Sequence, residues 1–155
     1  MNLSALTAFG RRYAKAWSSQ DPDRVASFYS EEGSLIVNDG EPAKGRAAIA
    51  EVARSFMTTF PDMHVGMKGL VREPRGPVFH WSLTGTNTGP GGKGHRVSIE
   101  GYEVWRIGDD GRIAESKGHF DAEQYAHQLE HGVELVRDDD EPGPSLVNRG
   151  RARGR

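Results

Sequence analysis

A chain of 155 residues with 35% hydrophobic content has enough apolar material for one core and not for two, so a single domain is expected. The absence of cysteine excludes disulfides, thiolate nucleophiles, iron–sulfur clusters and cysteine zinc sites, leaving oxygen and imidazole groups for any catalysis. A formal charge of -2 gives no broad cationic field for nucleic acid or anionic membrane; the expected partner is a small, neutral or weakly charged molecule. The opening MNLSALTAFGRRYAKAW has none of the marks of a signal peptide and no apolar run of membrane-spanning length follows, which predicts a cytoplasmic protein.

Leu3, Leu6, Phe9, Tyr13 and Trp17 recur at helical spacing and predict a first helix ending near Ser18. Asp21-Pro22 reads as an N-cap with proline at the first helical position, opening a short helix that buries Val25, Phe28 and Tyr29 and ends at Glu31 to Gly33. Ser34 to Val37 predicts a short strand, with a tight turn at Asn38-Asp39-Gly40. A third helix starts at Gly45, buries Ile49, Val52, Ala53, Phe56, Met57 and Phe60, and stops at Pro61.

From Asp62 the period becomes two. Met63, Val65 and Met67 alternate in one segment and Phe79, Trp81 and Leu83 in the next; further strands run from about Arg96 to Ile107 and from Arg112 to Phe120. Helices first and a strand meander afterwards argue for α+β architecture, with helices packed on one face of a bent sheet. A closing helix is expected from Asp121 to about Leu135. The domain is drawn at residues 1–136, and residues 137–155, an acidic run followed by a Pro/Gly break and a basic end, read as a disordered charged tail.

Several motifs are weighed and set aside. The block Gly85 to Gly94 lacks the Lys-Ser/Thr and helix of a phosphate-binding loop and reads as a hairpin loop. His127, Glu130 and His131 match a metal-protease spacing, but no third ligand is evident and a solvated helix face is the simpler reading; no metal and no cofactor are expected. The terminal RGRARGR lacks aromatic residues for base stacking, so no nucleic acid is expected.

The segment Gly101 to Gln128 carries the most content. Together with Gly45-Arg46-x-x-Ile49, Phe60-Pro61-Asp62 and Gly85-Thr86-x-Thr88-Gly89, it resembles the SnoaL-like polyketide cyclases of the nuclear transport factor 2-like superfamily over about residues 3–130. The resemblance implies a cone-shaped α+β barrel of a strongly curved mixed or antiparallel sheet packed against three N-terminal helices, with a short C-terminal helix. It also implies a deep apolar pocket and a homodimer. The family's strand and helix-end pattern falls on Glu115, Lys117, Asp121 and Gln128-Leu129-Glu130, which carries the catalytic acid/base over to Asp121; Lys117 and Glu130 depart from that pattern. Similarity to the related ketosteroid isomerases places Tyr13 and Glu103 at positions of an oxyanion site and Asp39 near that of a base. The Arg-x-Asp pair of limonene epoxide hydrolases has no counterpart at His80-Trp81-Ser82.

A carboxylate at a strand end facing an apolar cavity is desolvated, and its raised pKa makes it an effective proton shuttle. The candidate catalytic residues are therefore Asp121, Glu103 and His119; Tyr13, Trp17, Asp39, Phe56, His80, Trp81 and Trp105 are candidate substrate contacts. Strand parity puts His119 on one face with Asp121, and Glu103, Trp105 and Ile107 together on one face of the neighbouring strand. Asp121 equally suits the N-cap of the closing helix. The function expected is a cofactor-free isomerase, cyclase or dehydratase acting on a small, largely apolar carbonyl compound; the alternative is a non-catalytic ligand-binding or dimerisation module of the same fold.

Overall fold

The computed structural model describes residues 1–133; the stretch expected as a charged tail lies outside the described residues. Four helices, α1 (Leu3–Trp17), α2 (Pro22–Ala26), α3 (Arg46–Thr59) and α4 (Ala122–His131), accompany six strands. The strands are β1 (Tyr29–Val37), β2 (Ala43–Lys44), β3 (His64–Glu73), β4 (Gly76–Thr86), β5 (Arg96–Ile107) and β6 (Ile113–Phe120). They form one open sheet in the order β2-β1-β6-β5-β4-β3. Every neighbouring pair is antiparallel except β1 and β6, which run parallel, so the sheet is mixed.

Local sequence explains the helices. Asn2 opens α1 by accepting a hydrogen bond from the Ala5 N–H at 2.8 Å, and Asp21 caps α2 through the N–H groups of Asp23 and Arg24. The stripe Leu6, Phe9, Tyr13 and Trp17 is buried, and α1 lies chiefly against β3. The two approach closely because residue 10 is glycine: a methyl group there would sit 2.8 Å from Met67 Sδ. On α3, Ile49, Ala53, Met57 and Phe60 are buried while Val52 and Phe56 are half-buried, in agreement with the apolar stripe.

Two boundaries differ from the sequence reading. The short helix stops at Ala26, and Tyr29 already belongs to β1, five residues ahead of the expected start at Ser34. The polar run Ser30-Glu31-Glu32 looks like a helix end in isolation, but it lies between two residues paired with β6, Tyr29 with Ile113 and Ser34 with Glu115, and this flanking pairing overrides local preference. The two-residue strand β2, which pairs with β1 at Ser34 and Leu35, carries too little pattern to be read from sequence.

An irregularity in β6 matters for the site. In β6, Ile107 faces Ile113 and Arg106 faces Glu115, so Ala114 is an extra residue with no partner on β5. The strand's inward face therefore switches from Ile113 to the even-numbered Ser116, Gly118 and Phe120.

Helix α4 is fastened at both ends. Asp121 Oδ1 accepts from the Gln124 N–H at 3.0 Å; near the other end, buried Gln128 Oε1 accepts from the Ser98 N–H of β5 at 2.7 Å, and Asn87 Nδ2 donates to the Leu129 carbonyl at 3.1 Å. Replacing Gln128 with leucine leaves the Ser98 N–H without its acceptor, a loss of about 1–3 kcal/mol. We expect urea unfolding of Gln128→Leu to show that decrease; an unchanged midpoint would mean that the bond contributes nothing.

Candidate active site

The sheet register builds the site in rows. Phe79, Glu103 and Gly118 lie side by side across β4, β5 and β6, with Val37 of β1 paired to Gly118 at the end of the row. The adjacent rows contribute Trp81 and Phe120 on one side and Leu35 with Ser116 on the other. Trp17 of α1 and Phe56 of α3 close the space from the helical layer. Together with Val65, Leu83 and Ile99 they enclose a cavity of about 60 Å³ that is open to solvent at one side and lined almost wholly by carbon. Its open side lets a guest extend beyond this volume. The pocket is thus apolar, as the family resemblance implies, but compact.

One ionisable side chain belongs to this lining, Glu103, which is 7% exposed. Three groups donate to its Oε1: Ser116 Oγ at 2.7 Å, Trp105 Nε1 at 2.8 Å and Tyr13 Oη at 3.0 Å. Its Oε2 has a single, longer contact with Tyr13 Oη at 3.3 Å. Tyr13 has one hydroxyl hydrogen, directed to Glu103, so Tyr29 Oη donates to Tyr13 Oη across the 2.7 Å between them. A polar chain thus runs from β1 through α1 to the carboxyl group. Gly118 keeps the space before that group free, since a methyl at this position would lie 3.6 Å from Glu103 Cγ.

Burial pushes the Glu103 carboxyl above its ordinary range, against the pull of the three donors. Burial and then the charge of Glu103 push the hydroxyls of Tyr13 and Tyr29 well up, so both stay protonated and able to donate. No ion pair among the described residues involves Glu103.

The residues singled out from sequence fall into three places. Glu103, Trp17, Phe56 and Trp81 line the cavity, and Tyr13 and Trp105 stand behind Glu103 as its donors. Asp121, His119, Asp39 and His80 do not line it. Asp121 is exposed and occupied as the cap of α4. His119 faces Tyr102 across the strands with 5.0 Å between ring centroids, and Tyr102 in turn faces His80, which places these side chains on the sheet face opposite Glu103. Asp39, in the left-handed turn at φ 60°, is exposed and shares a shallow surface cleft with His119 and Asp121. The expectation that Asp121 points into the apolar chamber is corrected: it follows the end of β6, whose inward residues are Ser116, Gly118 and Phe120, and its carboxylate caps α4.

Sequence reasoning missed Ser116 and Gly118, and it took Tyr29 as core alone. An unbroken strand pattern gives no signal for the first two; only the buried hydroxyl beside a buried acid reveals Ser116. His127 and His131 lie on an exposed face of α4 with Glu130 paired to Lys93, and no group of three or more His, Asp or Glu among the described residues is arranged to hold a metal ion. No helix among the described residues is long and apolar enough to cross a membrane.

The model of the SnoaL-like domain matches residues 10–116, the stretch that carries the second half of α1, the sheet up to Ser116 and the whole Glu103 network. The chain belongs to the SnoaL-like domain family. Solved structures agree on the fold. The putative SnoaL-like polyketide cyclase of Jannaschia sp. superposes with a TM-score of 0.69 at 16% identity, over 86% of this chain and 99% of that one. AclR, a putative hydroxylase of Streptomyces galilaeus, gives 0.70 at 18% identity, over 88% and 87%. A hypothetical protein of Catenulispora acidiphila with a ketosteroid isomerase-like fold, solved in complex with trimethylamine, gives 0.68 at 13% identity, over 81% and 95%. At these identities the likeness speaks for the SnoaL-like fold and not for a shared reaction. No curated protein matches in sequence.

Two outcomes test the site's electrostatics. Asp121→Ala removes only a helix cap and is expected to cost about 1 kcal/mol of stability, read from urea unfolding, with the Trp105 indole environment unchanged in NMR spectra; a shift of that signal would tie Asp121 to the cavity. Glu103 holds its proton more tightly folded than unfolded, so above its ordinary value of 4.5 the folded state carries the greater number of protons and its stability falls as pH rises through the raised value. Glu103→Gln, which does not ionise, is expected to flatten this decline; identical stability–pH slopes for the two proteins would contradict the burial argument.

Proposed function

We propose that this SnoaL-like protein is a cofactor-free acid–base enzyme of the isomerase, cyclase or dehydratase type, acting on a compact, largely apolar carbonyl compound, with Glu103 in the part expected of Asp121. The observation that carries the reading is the asymmetry of a carboxyl group on the lining of an apolar cavity: three donors converge on Glu103 Oε1, while Oε2 has one longer contact. Ionised Glu103 removes a proton alpha to the substrate carbonyl, and the protonated acid returns it at another carbon of the enolate. The raised pKa brings the acid and base forms closer in energy near neutral pH, as a proton shuttle requires. Tyr13, Trp105 and Ser116 hold the carboxyl in place, and the ring walls of Trp17, Phe56, Trp81 and Phe120 exclude water and take the substrate's apolar body. The polyketide cyclase name attached to the Jannaschia relative supports a carbonyl substrate, and the trimethylamine held by the Catenulispora relative supports a small ligand. The reading includes the homodimer that the family resemblance implies.

A second reading, a ligand-binding module without chemistry, is favoured by one observation: among the described residues Glu103 is the sole ionisable side chain on the cavity lining, so no second acid or base of theirs faces a substrate there. Deuterium incorporation alpha to the carbonyl of small cyclic ketones and enones in D₂O, followed by NMR, separates the two. We expect catalysed exchange by the wild type, a loss of about 10²- to 10⁴-fold in Glu103→Gln, and no change in Asp121→Asn. Exchange that survives in Glu103→Gln removes Glu103 from the chemistry; ligand binding without exchange across the panel selects the binding module.

A further inference from the structure

A carboxylate taken out of water needs a cation beside it or tends to give up its charge. Glu103 is more than nine-tenths buried, and its hydrogen-bond partners favour the charged form against the burial that disfavours it. The Trp105 indole can only donate to it, and the Tyr13 and Ser116 hydroxyls donate to it when it is ionised. Yet no lysine, arginine or histidine among the described residues pairs with it. With three donors and, among the described residues, no counter-ion, Glu103 lines a cavity from which a guest can bring the positive charge.

The walls suit such a guest. Five aromatic residues, Trp17, Phe56, Phe79, Trp81 and Phe120, surround the space beside the carboxyl group. Trp105 stacks on one face of Phe79, with centroids 5.1 Å apart and planes at 16°, which fixes that ring in the cavity wall. Ring faces are the negative side of an aromatic quadrupole and attract cations, above all alkylated ammonium ions, whose charge is spread over carbon and is cheaply desolvated. A neutral apolar guest uses the same carbon surface but gains nothing from the carboxylate. At about 60 Å³ the space selects a compact head group.

We infer that the cavity receives a compact organic cation, an alkylammonium head group, which supplies the counter-ion that the fold withholds from Glu103. This rests on the cavity's being the ligand site and not on the reaction proposed for it; such a cation competes with the carbonyl substrate for the same space.

The test uses the full-length protein with tetramethylammonium, whose charge does not change with pH, and with 2,2-dimethylpropan-1-ol, a neutral molecule of similar shape. Binding is followed through the Trp105 indole N–H signal by NMR. The cation is expected to bind at least about tenfold more tightly than the alcohol at neutral pH, and Glu103→Gln to abolish that preference. The titratable groups facing Glu103 are Tyr13 from α1 and, through it, Tyr29 from β1, both held protonated, so wild-type affinity for the cation rises with pH as Glu103 ionises and then levels off. The alcohol shows no such rise. Equal binding of the two probes, or a cation affinity indifferent to pH, overturns the inference while leaving the cavity as a ligand site. Binding of neither probe overturns both. Should Glu103→Gln fail to fold, the wild-type pH dependence decides.

Discussion

The fold is organised around keeping one carboxyl group out of water. Desolvating a carboxylate costs several kcal/mol even after relaxation, and among the described residues no ion pair returns any part of it. The offset comes from three donors on three elements: Tyr13 from α1, Trp105 from the same strand as Glu103, and Ser116 from β6. Each donor is itself buried, so each must be placed by packing. Tyr13 and Trp105 meet edge-on at 5.4 Å, and both rings also contact Phe79. The aromatic cluster and the polar network are one arrangement, in which rings fix positions and heteroatoms answer the buried charge. The parallel pairing of β1 with β6 completes it by bringing Tyr29 to the far side of Tyr13.

The site's legibility in the sequence follows from how local its causes are. The stripes of α1 and α3 and the bounds of β5 follow from periodicity, and with them Tyr13, Trp17, Phe56 and Trp105 could be named. Glu103 emerged from a family likeness, because an acid in a strand reads by itself as an outward-facing residue. The start of β1 was hidden because partners far along the chain, and not the Ser-Glu-Glu run, decide it. Asp121 carried two readings at sequence level, and the observed cap belongs to the local one. His119 and Asp39 were drawn to the site by likeness and parity, while the register assigns them elsewhere.

The cavity limits how far family likeness reaches. The shared architecture is evident in relatives below one-fifth identity, but the space at its centre is set by a few side chains. Here Trp81 spans Gly101 toward Phe120, Phe56 closes from above and Gly118 leaves a gap in front of the acid. A fold of this kind sets where a pocket lies, and residues of this kind set what enters it.

The unpaired Ala114 bears on how this strand could change over time. Deleting Ala114 would restore regular alternation and keep every pair between β5 and β6, so Ser116 and Gly118 would still face inward and His119 outward. Chain length at this one position can therefore vary without moving the serine hydroxyl away from the buried acid, whereas the loss of a residue beyond it would turn the following side chains to the other face.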